Sequence, residues 1–206
     1  MMNKRYKTII DEVTKFRCLS RDQISELYFG HCRKPHTNAN TALKRLRDRR
    51  YLTVAPFRQP YVYMINPAPI KRDSNKIDHY LAIADVYIAL KKAGKVREFT
   101  VEPRYDDVEV RPDIFTVYQG MPLFIEVQKS VYSDRVMAKK FERYQAYYDS
   151  EDWRKLDWQP KGNPVFPYVL LFSTQKYRVE TEGFKVRQYT DVSEFLRSLT
   201  VRVNVG

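Results

Sequence analysis

Between residues 5 and 16, Ile9, Ile10, Val13 and Phe16 fall at helical spacing, so one face of this segment is apolar and the rest polar. Ser20 then stands where a helix N-cap belongs, ahead of Arg21-Asp22-Gln23 and the apolar Ile24, Leu27 and Tyr28, and Gly30 closes a short second helix. A third helix is predicted to start near Thr37 or Asn38, where Ala39, Ala42, Leu43 and Leu46 form a narrow buried stripe. Tyr51-Leu52-Thr53-Val54 and Tyr61-Val62-Tyr63-Met64-Ile65 follow, two β-rich runs parted by the turn-like residues 55–60, and they predict a hairpin.

Residues 67–75 hold two prolines and no periodicity, as a linker should, and divide a first domain, 1–66, from a second, 76–206. In the second, Ile77, Tyr80, Leu81, Ala84, Tyr87 and Ile88 predict an amphipathic helix that runs to Gly94. Three extended runs come next, 99–101, 113–118 and 122–128, the last two joined by a turn at Gln119-Gly120-Met121. A helix over 133–148, with Met137, Phe141, Tyr144 and Tyr148 on its buried side, precedes a strand at 168–172 and a last helix at 192–199. The order predicts an α+β protein whose second domain is a mixed sheet flanked by helices.

Charge sharpens the division. The 206-residue chain has a formal net charge of +12, of which the first 72 residues carry +11 and the remaining 134 only +1. So uneven a distribution points to a polyanionic partner for the first domain, because clustered Lys and Arg release condensed counterions from nucleic acid. The alternative is a solvated basic face kept for solubility. No window approaches the ~18 consecutive apolar residues of a membrane span, and the first ten residues lack the apolar core of a signal peptide. Two cysteines are too few for a disulfide framework. The chain reads as soluble and cytoplasmic.

Three helices and a hairpin, with the third helix the most basic, resemble a winged helix-turn-helix. In that fold the third helix enters the major groove of double-stranded DNA. Asn38, Asn40, Thr41 and Arg45 are placed to reach base edges, Arg47, Arg49 and Arg50 to reach phosphates, with Lys44 on the same exposed faces and Arg58 a wing contact at the hairpin tip. Cys18, His31, Cys32 and His36 have metal-ligand chemistry, but no C-x2-C pair accompanies them, so they read as buried cysteines and loop histidines.

In the second domain Pro112-Asp113 opens one strand and Glu126-Val127-Gln128-Lys129 ends its hairpin partner. This arrangement resembles the PD-(D/E)xK nuclease motif, in which two carboxylates hold Mg²⁺ at a phosphate and a nearby Lys helps to activate water. Asp113 and Glu126 are the candidate catalytic and metal-binding pair, with Gln128 and Lys129 beside them. Side chains at i and i+2 share a strand face, so Gln128 takes the place of the nuclease Lys and Lys129 points away, leaving Lys140 or Arg143 to supply a cation. The other reading makes Asp113 a turn-capping residue and Glu126 a salt-bridged strand residue.

The chain as a whole resembles the replication-relaxation family of plasmid and other mobile-element proteins. The likeness rests on the N-terminal winged helix, Asp78-His79-Tyr80-Leu81, Pro112-Asp113-Ile114-Phe115, Phe124-Ile125-Glu126-Val127, and Lys140-Phe141-Glu142-Arg143-Tyr144. It implies a role in replication, relaxation or regulation of a plasmid, phage or other mobile element, with double-stranded DNA, replication proteins and a second copy of the chain as partners. It also implies a nuclease-like second domain, with His79 at the edge of its site. Gln128-Lys129 departs from the family pattern of an acidic residue followed by Arg.

Overall fold

Helix α1 (Lys4–Phe16) is capped by Asn3, whose side chain accepts from the Arg5 N–H, and it buries Ile9, Val13 and Phe16 along one stripe. The computed structural model describes residues 3–105 and 109–203. After the two-residue strand β1 (Leu19–Ser20), α2 (Arg21–Phe29) starts in a full capping box: Ser20 Oγ accepts from Gln23 N at 3.1 Å and Gln23 Oε1 accepts from Ser20 N at 3.0 Å. Helix α3 (Pro35–Asp48) begins at Pro35 rather than at Thr37 or Asn38. Proline is well suited to that first turn, where its missing N–H would have had no intrahelical partner. The hairpin forms as β2 (Leu52–Val54) and β3 (Val62–Ile65), and β1 joins its other side to give an antiparallel sheet ordered β1-β3-β2.

Helix α4 (Lys76–Ala93) follows. Two compact units result, Met1–Ile88 and Ala89–Gly206, so the division falls inside α4 and not within residues 67–75. The first stretch of α4 belongs to the first unit for a polar reason as well as an apolar one. Gln23, itself buried, turns its Nε2 to the Leu81 carbonyl at 2.8 Å and to Asp85 Oδ1 at 2.6 Å, while Ile77, Tyr80, Ile83 and Ala84 are buried.

The second unit is built on a five-stranded mixed sheet, order β4-β5-β6-β7-β8, from β4 (Val96–Val101), β5 (Ile114–Tyr118), β6 (Met121–Val127), β7 (Tyr168–Phe172) and β8 (Val186–Tyr189). β4, β5 and β6 run antiparallel, while β7 and β8 are parallel additions. Strand β8 has no counterpart in the sequence reading, because its residues are only half-buried and show no clean alternation. Helix α5 (Asp134–Ser150), capped by Ser133, covers one face of the sheet. Its Met137, Phe141, Tyr144 and Tyr147 pack with Phe115, Val117, Phe124, Val169 and Leu171. Tyr147, not Tyr148, completes that buried stripe; Tyr148 is partly buried and stacks on Trp153 at 5.9 Å. Phe195 of the last helix, α6 (Val192–Val203), meets Tyr118, Phe172 and Tyr189.

The β5–β6 turn fixes what faces what. Gln119 and Gly120 both have positive φ, 48° and 84°, the geometry of a two-residue hairpin loop whose twist matches its strands. Tyr118 therefore pairs with Met121 and Ile114 with Ile125, a register that carries Asp113 to a place opposite Glu126.

These contacts set an expected ranking in stability. Ser20→Ala removes one cap and should cost about 1 kcal/mol. Gln23→Ala removes the reciprocal cap and strips α4 of two hydrogen bonds, and should cost about 2–3 kcal/mol. Urea unfolding of the full chain checks the order; equal losses would mean that the bonds to Leu81 and Asp85 contribute nothing.

Candidate nucleic-acid interface and carboxylate cleft

At about 100° per residue, the buried stripe of α3 leaves the rest of the helix to solvent, and Asn38, Asn40, Thr41, Lys44, Arg45 and Arg47 are all exposed on it. They do not share one line. Thr41 and Lys44 lie opposite the buried stripe, Asn38 and Arg45 on one flank, Asn40 and Arg47 on the other. Arg45 donates to the Tyr6 hydroxyl of α1 at 3.2 Å, and Arg47 pairs with Asp48 at 3.2 Å. Lys44, Arg49 and Arg50 are exposed with no ionic partner among the described residues. Arg58 differs from the rest. It is half-buried and donates through both terminal nitrogens to Asp78 at 2.5 and 3.3 Å, so it anchors the hairpin loop instead of projecting from it as a wing contact.

Among the described residues, Glu126 is the one fully buried carboxylate of the second unit. Glu126, 1% exposed, accepts from the Tyr144 hydroxyl at 2.7 Å on Oε1 and from the Lys140 ammonium on Oε2. Lys140 and Tyr144 stand four residues apart on α5, hence on one face. Asp113 Oδ2 accepts from the Val127 N–H at 2.7 Å, which ties the carboxylate ahead of β5 to the end of β6. A cleft of about 280 Å³ opens over this cluster, lined by Glu109, Val110, Arg111, Glu126, Lys140, Arg143 and Tyr144. Burial, and then the charge of Asp113, push the Glu126 carboxyl up to about 7 despite its two donors. Burial works against the charge on Lys140, but the fields of Glu126 and Asp113 together overcome it and hold its pKa above the ordinary lysine value. One ammonium thus serves two carboxylates.

Gln128 and Lys129 do not line this cleft. Gln128 shares the face of Glu126, as strand alternation requires, yet its Nε2 donates to the Tyr177 hydroxyl at 2.9 Å. Lys129 is exposed beyond the end of β6. The cation of the site therefore comes from α5. Glu109, Arg111 and Tyr144 join the site only in the structure; in the sequence Tyr144 is a core position and the end of the Lys140–Tyr144 run, and its hydroxyl has no signature in spacing.

The residues as arranged do not fit Mg²⁺. Both Glu126 oxygens are engaged, one by a cation already, and no group of three or more His, Cys, Asp or Glu side chains is placed to hold a metal among the described residues. Nor do Cys18, His31, Cys32 and His36 form such a group: Cys18 is buried, with its thiol pushed up to about 12 by burial, and His36 faces Asp22 at 3.4 Å. His79 lies on α4 in the first unit, half-buried, its ring edge-on to Tyr80 at 5.7 Å.

Fold and site define an α+β protein with an exposed basic helix in one unit and a buried carboxylate–ammonium cluster on a mixed sheet in the other. The sequence model of the replication-relaxation family matches residues 11–159, most of the chain, and the protein belongs to that family. No curated protein and no solved structure matches it. Among the described residues, no helix is long and apolar enough to cross a membrane.

The raised pKa of Glu126 has a defined sign in stability. Its unfolded value is near 4.5, so the folded protein binds the extra proton between about pH 4.5 and 7. This contribution is fully present below pH 4.5 and is lost as pH rises through 7, with a slope of at most about 1.4 kcal/mol per pH unit. Glu126→Gln should flatten that slope in urea unfolding at pH 5, 6 and 7. Lys140→Met should destabilise by about 3 kcal/mol at pH 8, where the carboxylate is left alone in the interior, and by less at pH 5.

Proposed function

We propose that the protein binds double-stranded DNA and acts in the replication, relaxation or regulation of a plasmid, phage or other mobile element. In this reading the first unit is a winged helix-turn-helix, with α3 in the major groove and the small sheet as its wing. The second unit is a PD-(D/E)xK-like domain that keeps the nuclease shape with little of its chemistry. The observation that carries the proposal is the exposed surface of α3, where Asn38, Asn40, Thr41, Lys44 and Arg45 stand beside Arg47, Arg49 and Arg50. Family membership supports the link to replication. Replication proteins and a second copy of the chain are the protein partners that such a role entails, in the cytoplasm.

The alternative is a Mg²⁺-dependent endonuclease using Asp113 and Glu126. Glu126 and Lys140 at one cleft, with Asp113 tied to the end of β6 beside them, favour it; the ammonium seated on Glu126 opposes it.

Two measurements decide between them. The full chain should bind duplex DNA in fluorescence anisotropy, with a log–log salt slope of about −0.9 per phosphate neutralised. Arg45→Ala or Asn40→Ala should relax sequence preference, and Arg49→Ala should weaken all sequences alike. Salt-insensitive binding would overturn the proposal. In a supercoiled-plasmid nicking assay with Mg²⁺ or Mn²⁺, the natural protein should show little or no cleavage, since the Lys140 ammonium and the Tyr144 hydroxyl engage both Glu126 oxygens that a metal would need. Gln128→Lys should change cleavage little, because position 128 lies outside the cleft and Lys140 already supplies its cation. Robust natural activity abolished by Asp113→Ala would establish the enzyme instead.

A further inference from the structure

Among the described residues of the first unit, the large apolar side chains that remain exposed are Tyr51, Phe57 and Tyr61, at 44%, 106% and 48%. All three fall on the hairpin that follows α3. Scattered single apolar residues need no explanation, but a group confined to one segment marks a contact surface.

Phe57 is the most exposed of them and the most rigidly presented. It sits in the loop between β2 and β3 with φ at +57°, a conformation that bulky side chains rarely adopt. Both flanks of the loop are fixed. The buried Ala55 donates its N–H to the Val62 carbonyl at 2.9 Å, Arg21 N donates to the Tyr61 carbonyl at 2.8 Å, and Arg58 is held twice by Asp78. A strained backbone kept in place by its surroundings, with a phenyl ring projecting into water, is organised to put that ring into something.

The surroundings indicate what. Arg47, Arg49 and Arg50 are exposed at the end of α3, immediately before the hairpin, and Arg72 reaches back to Thr53 Oγ1 at 3.4 Å and to the Val54 carbonyl at 3.5 Å. Two carboxylates, Asp73 and Asp78, line the hollow behind the loop, and Asp78 is neutralised by Arg58. Guanidinium groups just before the hairpin and against β2, on the same unit as the exposed ring, match a partner that offers phosphates beside a stack of apolar faces. We propose that Phe57 is a wedge that enters a base step of duplex DNA while the arginines of α3 hold the flanking backbone. Apolar wedges of this kind partly unstack the step and kink the duplex. The inference rests on the duplex-binding reading above and adds a deformation of the DNA that the basic helix alone does not require.

The test uses the full chain and a mixed-sequence duplex with 2-aminopurine in place of adenine at several TA steps, the steps most easily unstacked. Saturating natural protein should raise 2-aminopurine fluorescence. Phe57→Ala, a change at a solvated position that leaves the core intact, should abolish that rise and weaken binding roughly 10-fold, the scale of one lost base–aromatic stack. Phe57→Trp should restore the rise. Phe57→Ala that binds and raises fluorescence as the natural protein does would overturn the wedge while leaving duplex binding in place. A natural protein that does not bind the duplex would overturn both. An effect of Phe57→Ala confined to self-association, read by sedimentation, would assign the hairpin to a protein contact and likewise overturn the wedge.

Discussion

The buried carboxylate of Glu126 is the constraint around which the second unit is arranged. Taking a carboxylate and an ammonium out of water carries a penalty of several kcal/mol per ion, which their attraction offsets only when geometry and hydrogen bonding are good. The protein meets that condition with three separate elements. The tight Gln119-Gly120 turn sets the register that brings Asp113 opposite Glu126, the alternation of β6 aims Glu126 at α5, and helical spacing presents Lys140 and Tyr144 together. Well-packed apolar residues would stabilise this position as well or better, so the cluster is weak evidence for a purely structural role. It holds a charged constellation beneath an open cleft, with an internal ammonium as its cation.

Both units pair part of their charge locally, the first through Lys15 with Glu12, Arg21 with Asp22, Arg47 with Asp48 and Arg58 with Asp78. In the second, cations are matched locally: Lys140 with Glu126, Arg143 with Glu109, Arg154 with Glu151, Lys155 with Asp152, and Arg178 with Glu180. Apart from the first of these the pairs are exposed, and exposed pairs contribute little to stability. In the first, Lys44, Arg49 and Arg50 stand without ionic partners among the described residues, and the field they create is available to a polyanion.

Rigidity in the first unit comes from polar contacts that each serve two elements. Gln23 caps α2 and binds α4, and Arg58 fixes the β2–β3 loop through Asp78 on α4. The exposed basic surface of α3 and the ring of Phe57 are therefore carried on a fixed frame, which reduces the ordering entropy that binding must overcome.

What the sequence determined by itself was whatever depends on neighbours in the chain. The periodic stripes of α1, α3 and α5, the Ser20 cap, the Gln119-Gly120 turn and the segregation of charge all rest on contacts within a few residues, where spacing dictates geometry. The tertiary structure decided the rest. The strand β1 exists because Leu19 and Ser20 pair with β3, and the edge strand β8 because it pairs with β7. Arg58, which spacing alone places at a wing tip, is drawn to a carboxylate twenty residues further on. Gln128, which spacing alone places at the nuclease lysine position, turns to Tyr177, and the cation beside Glu126 arrives on a helix, fourteen residues after it. A buried charge takes whichever partner the fold brings within reach, and long-range packing, which leaves no period in the sequence, determines which one that is.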